Sequence, residues 1–136
     1  MSHRFLAVGW IWALALIAGE SAIAADIYIV TNSEMNLSVS EIREIFLGDR
    51  EFNGSMRLVP VDNQAVQVEF TSKVLAMAVD RYSTLWTKRV FRDAVNPPVQ
   101  KVSDQEVFEF VRKTHGAIGY VSSAPRDKGV AVVAKF

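Results

Sequence analysis

Past its first two dozen residues, the chain alternates short apolar runs with longer stretches in which apolar residues fall three and four apart. "DIYIVT" (Asp26–Thr31) is apolar and β-rich, the pattern of a central strand. After polar "NSEMN", "LSVSEIREIFLGD" opens on a capping box, with Ser38 as N-cap and Glu41 three residues on. Val39, Ile42, Ile45 and Phe46 follow at helical spacing, and Gly48 is a C-terminal stop. Arg50–Ser55 holds an Asn-Gly turn signal. "RLVPVD" (Arg57–Asp62) alternates as a short strand in which Pro60 indicates an edge or a strand terminus. From Gln64 to about Val79 the period is helical, with Val66, Phe70, Val74 and Leu75 on one face. Asp80 reads as the N-cap of a further helix carrying Tyr82, Leu85, Trp86 and Val90 as its apolar stripe, and Asn96-Pro97-Pro98 breaks regular structure. "SDQEVFEFVRKTHG" is helical: Ser103 caps it, Glu106 completes a capping box, Val107, Phe110 and Val111 face inward, and Gly116 ends it. "AIGYVS" and "VAVVAKF" read as strands on either side of the loop "SAPRDKG".

The resulting order is β-α-β-α-α-α-β-β, without internal repeats, low-complexity tracts or linkers. Helices between strands imply some parallel pairing. The expected fold is therefore one α/β domain, a mixed sheet of about four strands covered by helices.

The N-terminus changes the picture of where that domain works. His3 and Arg4 precede an uninterrupted apolar run, Phe5–Gly19, and "SAIAAD" ends it in small residues. This is the pattern of an export signal over residues 1–24, cleaved after Ala24 or Ala25, with the domain in residues 25–136. The run is short of the about 20 residues of a membrane span, and no stable membrane insertion is expected. The formal net charge is zero and there is no cysteine. Neutrality gives no footprint for nucleic acid or an anionic membrane. Lack of cysteine excludes disulfides, thiol catalysis and cysteine metal sites, and an exported fold without disulfides suits a bacterial periplasm.

Candidate chemistry is sparse. His115 is the only histidine beyond the export segment, stands at a helix-to-strand turn, and has no serine or carboxylate partner in sequence. No nucleotide-binding or nucleophile-elbow motif occurs. No enzyme activity, cofactor or metal site is therefore expected. The aromatic-basic stretch Arg81–Phe91 reads as core packing backed by a solvated basic face. Asp62, Asn63 and Gln64 mark a strand-to-helix junction, where backbone N–H groups can meet an anion. Asp62 fits less well: its carboxylate repels a fully ionised anion, accepts only from a protonated one, or simply caps the helix.

"LSVSEIREIFLGD", "FTSKVL", Trp86 with Phe91, Pro97-Pro98, "SDQEVFEFV" and "GAIGYVSS" together resemble phosphate ABC-transporter substrate-binding proteins, with "IFLG" and "GAIGYV" the most specific. The resemblance covers nearly all of residues 25–136 but only one of that family's two lobes. It implies a single lobe of the type 2 periplasmic-binding fold, a periplasmic location and a relation to anion capture. The transporter-linked binders carry an Arg and a Ser-Gly-Thr ahead of the Phe-Thr segment, whereas this chain has Gln64, Ala65 and Val66. The expected function is a non-enzymatic, solute-binding-like domain with weak affinity for phosphate or another small anion, in envelope transport or signalling. The alternative is an accessory module that has lost ligand binding and contacts an envelope protein, or itself, through the open lobe face. Candidate ligand-binding residues are Asp62, Asn63 and Gln64, with Thr31, Asn32 and Ser33 after the first strand, because ligands gather outside the carboxyl ends of strands in open α/β sheets. Ser122 and Ser123 follow as a third group.

Overall fold

A computed structural model describes residues 25–126 and 128–136, and the export segment expected over residues 1–24 lies outside the described residues. In chain order the elements are β1 (Tyr28–Thr31), α1 (Val39–Phe46), β2 (Phe52–Asn53), β3 (Met56–Arg57), β4 (Val59–Asn63), α2 (Gln67–Lys73), α3 (Val79–Asp93), β5 (Val99–Lys101), α4 (Asp104–Lys113), β6 (Ala117–Val121) and β7 (Ala131–Lys135). Five strands form one sheet in the order β5-β4-β6-β1-β7, and β2 and β3 form a separate ribbon. β4 runs parallel to β5 and β6, while β1 runs antiparallel to β6 and β7. The class is α/β with a mixed sheet, one strand wider than expected.

Strand β6 is the centre, and all five of its residues are buried. Its pleat sends Ile118 and Tyr120 to the face covered by α1, α2 and α3, where they join Ile29, Ile42, Phe46, Phe70, Tyr82 and Trp86. Ala117 and Val121 point the other way, toward Val107 and Val111 of α4. The Tyr120 ring stacks on Phe70 at 3.7 Å, and Phe46 meets the two edge-on at 4.8 and 5.6 Å. Each such ring adds about 2–3 kcal/mol by burial.

The helix starts follow their caps. Ser38 Oγ accepts from Glu41 N at 3.1 Å, and Glu41 accepts in return from Ser38 N at 3.2 Å. Ser103 Oγ accepts from Glu106 N, but the Glu106 carboxylate reaches one residue further back, to Val102 N at 2.9 Å. α2 ends at Lys73 instead of continuing to Val79, and the chain turns at Ala76 with φ 53°. The N-cap of α3 is Ala78, not Asp80. Along α3, Tyr82 and Trp86 are core, but Phe91 is 87% exposed. Pro60 lies on a strand with neighbours on both sides. The N–H groups of β4 alternate between those neighbours: Val59 N donates to Gly116 O beside β6, and Gln64 N to Lys101 O of β5. Pro60 thus faces the β5 side, one residue before β5 begins opposite Val61, and no ladder bond is lost.

The turn into β6 requires Gly116, whose φ is +79° and where a Cβ would stand 2.1 Å from the Arg57 carbonyl oxygen. Gly54 has φ +61° but open space around it. Gly54→Ala should cost about 1 kcal/mol of stability for its left-handed backbone alone. Gly116→Ala should cost on the order of 3 kcal/mol or more, because the backbone must also move. Denaturant unfolding of the two variants checks the ordering; equal losses would contradict it.

Candidate functional site

Because β4, β5 and β6 are parallel, their carboxyl ends meet at one edge of the sheet. That edge carries Asp62 and Asn63 at the end of β4 with Gln64 after it, Ser103 and Asp104 after β5, and Ser122 and Ser123 after β6. Thr31, Asn32 and Ser33 do not join them. β1 runs the opposite way, so Thr31 pairs with Ile118, level with Pro60 at the amino end of β4. The expectation that both groups share an edge is corrected by this strand direction. Thr31 Oγ1 donates to Ser33 O at 2.6 Å, and Asn32 Nδ2 donates to the carbonyls of Val111 and Arg112, where α4 ends.

Asp62 is 1% exposed and does not cap α2, whose N-cap is Val66 without a side-chain bond. Its carboxylate accepts from Tyr82 Oη at 3.0 and 3.1 Å, from Tyr120 Oη at 3.0 Å and from Gln100 Nε2 at 2.9 Å. Burial raises its pKa above the ordinary carboxylate value, and the bonds from Gln100, Tyr82 and Tyr120 oppose that rise. Burial and the Asp62 charge push both phenols up, so each stays a donor. Sequence reasoning took Tyr82 only as core and Tyr120 only as part of a strand, and missed Gln100. Pairing of Asp62 with Gln100 across the β4–β5 register is what brings that amide into place.

Asn63 is fully buried, and its amide donates to Asp104 Oδ1 at 2.8 Å and to Tyr120 O at 3.2 Å. The backbone amides that follow are also taken up. Gln64 N donates to Lys101 O, Ala65 N to Asn63 Oδ1 at 3.1 Å, and Val66 N to Asn63 O. Beside them sits the Asp104 carboxylate, which accepts from Ser122 N, from Ser122 Oγ at 2.7 Å and from Ser123 Oγ at 3.1 Å. A set of four donors that suits an oxyanion is thus filled by a side chain of the chain itself. Asp104 was not foreseen, although its place at the start of a capped helix was a signal.

A cleft of about 310 Å³ opens over Asp62, with Gln64, Gln67, Ser83 and Gln100 on its polar side and neither lysine nor arginine in its lining. A cleft with cations in its lining lies elsewhere. Arg50 and Arg57 line a space of about 320 Å³ by Val59 and Pro60, with Arg50 held to Glu44 at 3.2 Å. His115 is exposed. Among the described residues, no three histidine, aspartate or glutamate side chains are grouped to hold a metal ion.

This fold is shared with solved phosphate receptors. An ABC-type phosphate transport receptor from Vibrio cholerae matches with a TM-score of 0.60 at 19% identity, over 81% of this chain and 47% of the receptor. A putative phosphate ABC transporter substrate-binding protein with bound phosphate, from Clostridium perfringens, matches with a TM-score of 0.58 at 16% identity, over 81% and 45%. The chain spans about half the length of each, and has the fold of a single lobe of such proteins. No protein-family model and no curated protein sequence matches it.

Two variants test the polar edge. The folded-state pKa of Asp62 lies above 3.8, the value in an unfolded chain. Its contribution to stability is therefore fully present below that value and lost as pH rises through the folded pKa. Relative to Asp62→Asn, the wild-type chain should gain stability as pH falls from about 7 toward about 4; a difference that shrinks on acidification would contradict this. Asp104→Ala removes the acceptor of the Ser122 N–H and one of the two acceptors of the Asn63 amide, and should cost about 2–3 kcal/mol in denaturant unfolding, against less than about 1 kcal/mol for Ser123→Ala.

Proposed function

We propose that the chain is an exported, non-enzymatic domain with the fold of one lobe of a phosphate receptor, serving as an accessory lobe in envelope transport or signalling. It does not capture phosphate on its own. One observation carries this reading: the Asp104 carboxylate occupies the donors of Asn63, Ser122 and Ser123 at the edge where an anion would sit. An incoming phosphate would have to displace a carboxylate that is tethered in place, and would gain no arginine or lysine from the adjoining cleft. A lone lobe also leaves its ligand face open to water, which weakens charge-assisted hydrogen bonds. The apolar run Phe5–Gly19 with the small residues before Ala25 supports export to the periplasm. Among the described residues no helix is long and apolar enough to cross a membrane.

A second reading is favoured by the cleft over Asp62. Its amides and hydroxyl suit a small polar solute, held weakly, that donates a hydrogen bond to the buried carboxylate.

Thermal unfolding and calorimetry with phosphate, sulfate and small carboxylates separate the readings. A ligand present at 100 times its Kd stabilises by about 2.7 kcal/mol, a shift of several degrees. Millimolar phosphate should give neither heat nor stabilisation. Saturable phosphate binding below millimolar concentration would overturn the leading reading, and stabilisation by a carboxylic acid alone would favour the second.

A further inference from the structure

The outer face of α3 lies apart from the site and touches the core through Leu85 at its border. Residues Arg81, Thr84, Leu85, Lys88, Arg89 and Arg92 recur three and four apart and line one shallow trough on the surface. The row from Arg81 to Arg92 is roughly 16 Å long at helical rise. Arg89 is held by Asp49, and Arg92 pairs with its exposed neighbour Asp93 at 3.4 Å, a contact that costs little to exchange. Arg81 and Lys88 have no ion-pair partner among the described residues. The remaining carboxylate of the helix, Asp80, is at its first turn. Phe91 stands on the flank of this row and is 87% exposed, on a helix whose other aromatic side chains, Tyr82 and Trp86, are in the core.

We propose that this face docks on an anionic phospholipid surface, with the cations among the headgroups and Phe91 entering the interface beside them. The proposal rests on the reading of the chain as an envelope accessory domain and names the surface it would work through. Lipid is favoured over an acidic protein by shape. All six residues of the trough belong to one helix, so among the described residues no second element builds a wall that would fit a partner's side chain. A headgroup layer needs only a straight row of cations with an apolar residue beside it. Residues 25–136 are neutral overall, so this attraction is local to α3 and not a property of net charge.

Co-sedimentation of the exported chain with vesicles tests this. Binding is expected to phosphatidylcholine vesicles containing roughly a third phosphatidylglycerol, to be lost as salt is raised, and to be absent with phosphatidylcholine alone. Arg81→Gln with Lys88→Gln should lower partitioning roughly twenty-five-fold, about five-fold for each charge. Phe91→Ser should lower it several-fold at unchanged salt dependence. All three side chains are exposed, and unchanged thermal unfolding shows that the fold is intact. Equal binding to neutral vesicles, no binding to anionic ones, or binding indifferent to these substitutions would overturn the proposal. Retention on immobilised polyglutamate without vesicle binding would overturn it in favour of an acidic protein partner. Phosphate binding by the domain leaves each of these outcomes as it stands, so the two readings fail separately.

Discussion

A buried carboxylate with no cation beside it organises this domain. Asp62 accepts only from neutral donors, and those donors come from three different elements: Tyr82 of α3, Tyr120 of β6 and Gln100 of β5. A charge at that depth is tolerated only where every donor is in place, so the arrangement selects one packing among those the apolar surfaces would allow. The effect is clearest at β5, three residues long and at the edge of the sheet, where the side-chain pair of Asp62 and Gln100 reinforces the backbone register with β4. The same tyrosine that bonds Asp62 stacks on Phe70, so the polar knot and the aromatic cluster hold each other.

From that knot the polar groups continue along the sheet edge in a chain of internal bonds, through Asn63 to Asp104 and on to Ser122 and Ser123. The edge is where open α/β sheets collect ligands, and here it is satisfied from within. Donors turned inward strengthen the contact between β4, β6 and α4 and leave little to offer an anion. On the proposed reading, the fold of a phosphate receptor's lobe and the capacity to hold phosphate are separable, since the first depends on the apolar pattern and the second on a few donors.

Much of this was legible in the sequence. Ser38 with Glu41, Ser103 with Glu106, and the apolar stripes of α1, α2 and α4 specified helices by local chemistry, and the structure forms them. What was not legible depended on contacts distant in sequence. β5 follows two prolines, carries no alternation and exists through its pairing with β4, so nothing local announced it. The direction of β1 cannot be read from an apolar run, and with it went the placement of Thr31, Asn32 and Ser33. Asp62 looked like a cap or a ligand because its partners lie 20, 38 and 58 residues away. Phe91 was read as core by its company, whereas its angular position on α3 turns it to solvent.

The amides at the carboxyl edge are already bonded within the chain, without a ligand. Amide hydrogen exchange at single-residue resolution measures this directly. Gln64, Ala65, Val66 and Ser122 should be protected to a degree comparable with the amides of β4 and β6. Exchange of these four at the rate of an unstructured chain would show an open cradle waiting for a ligand, and would contradict it.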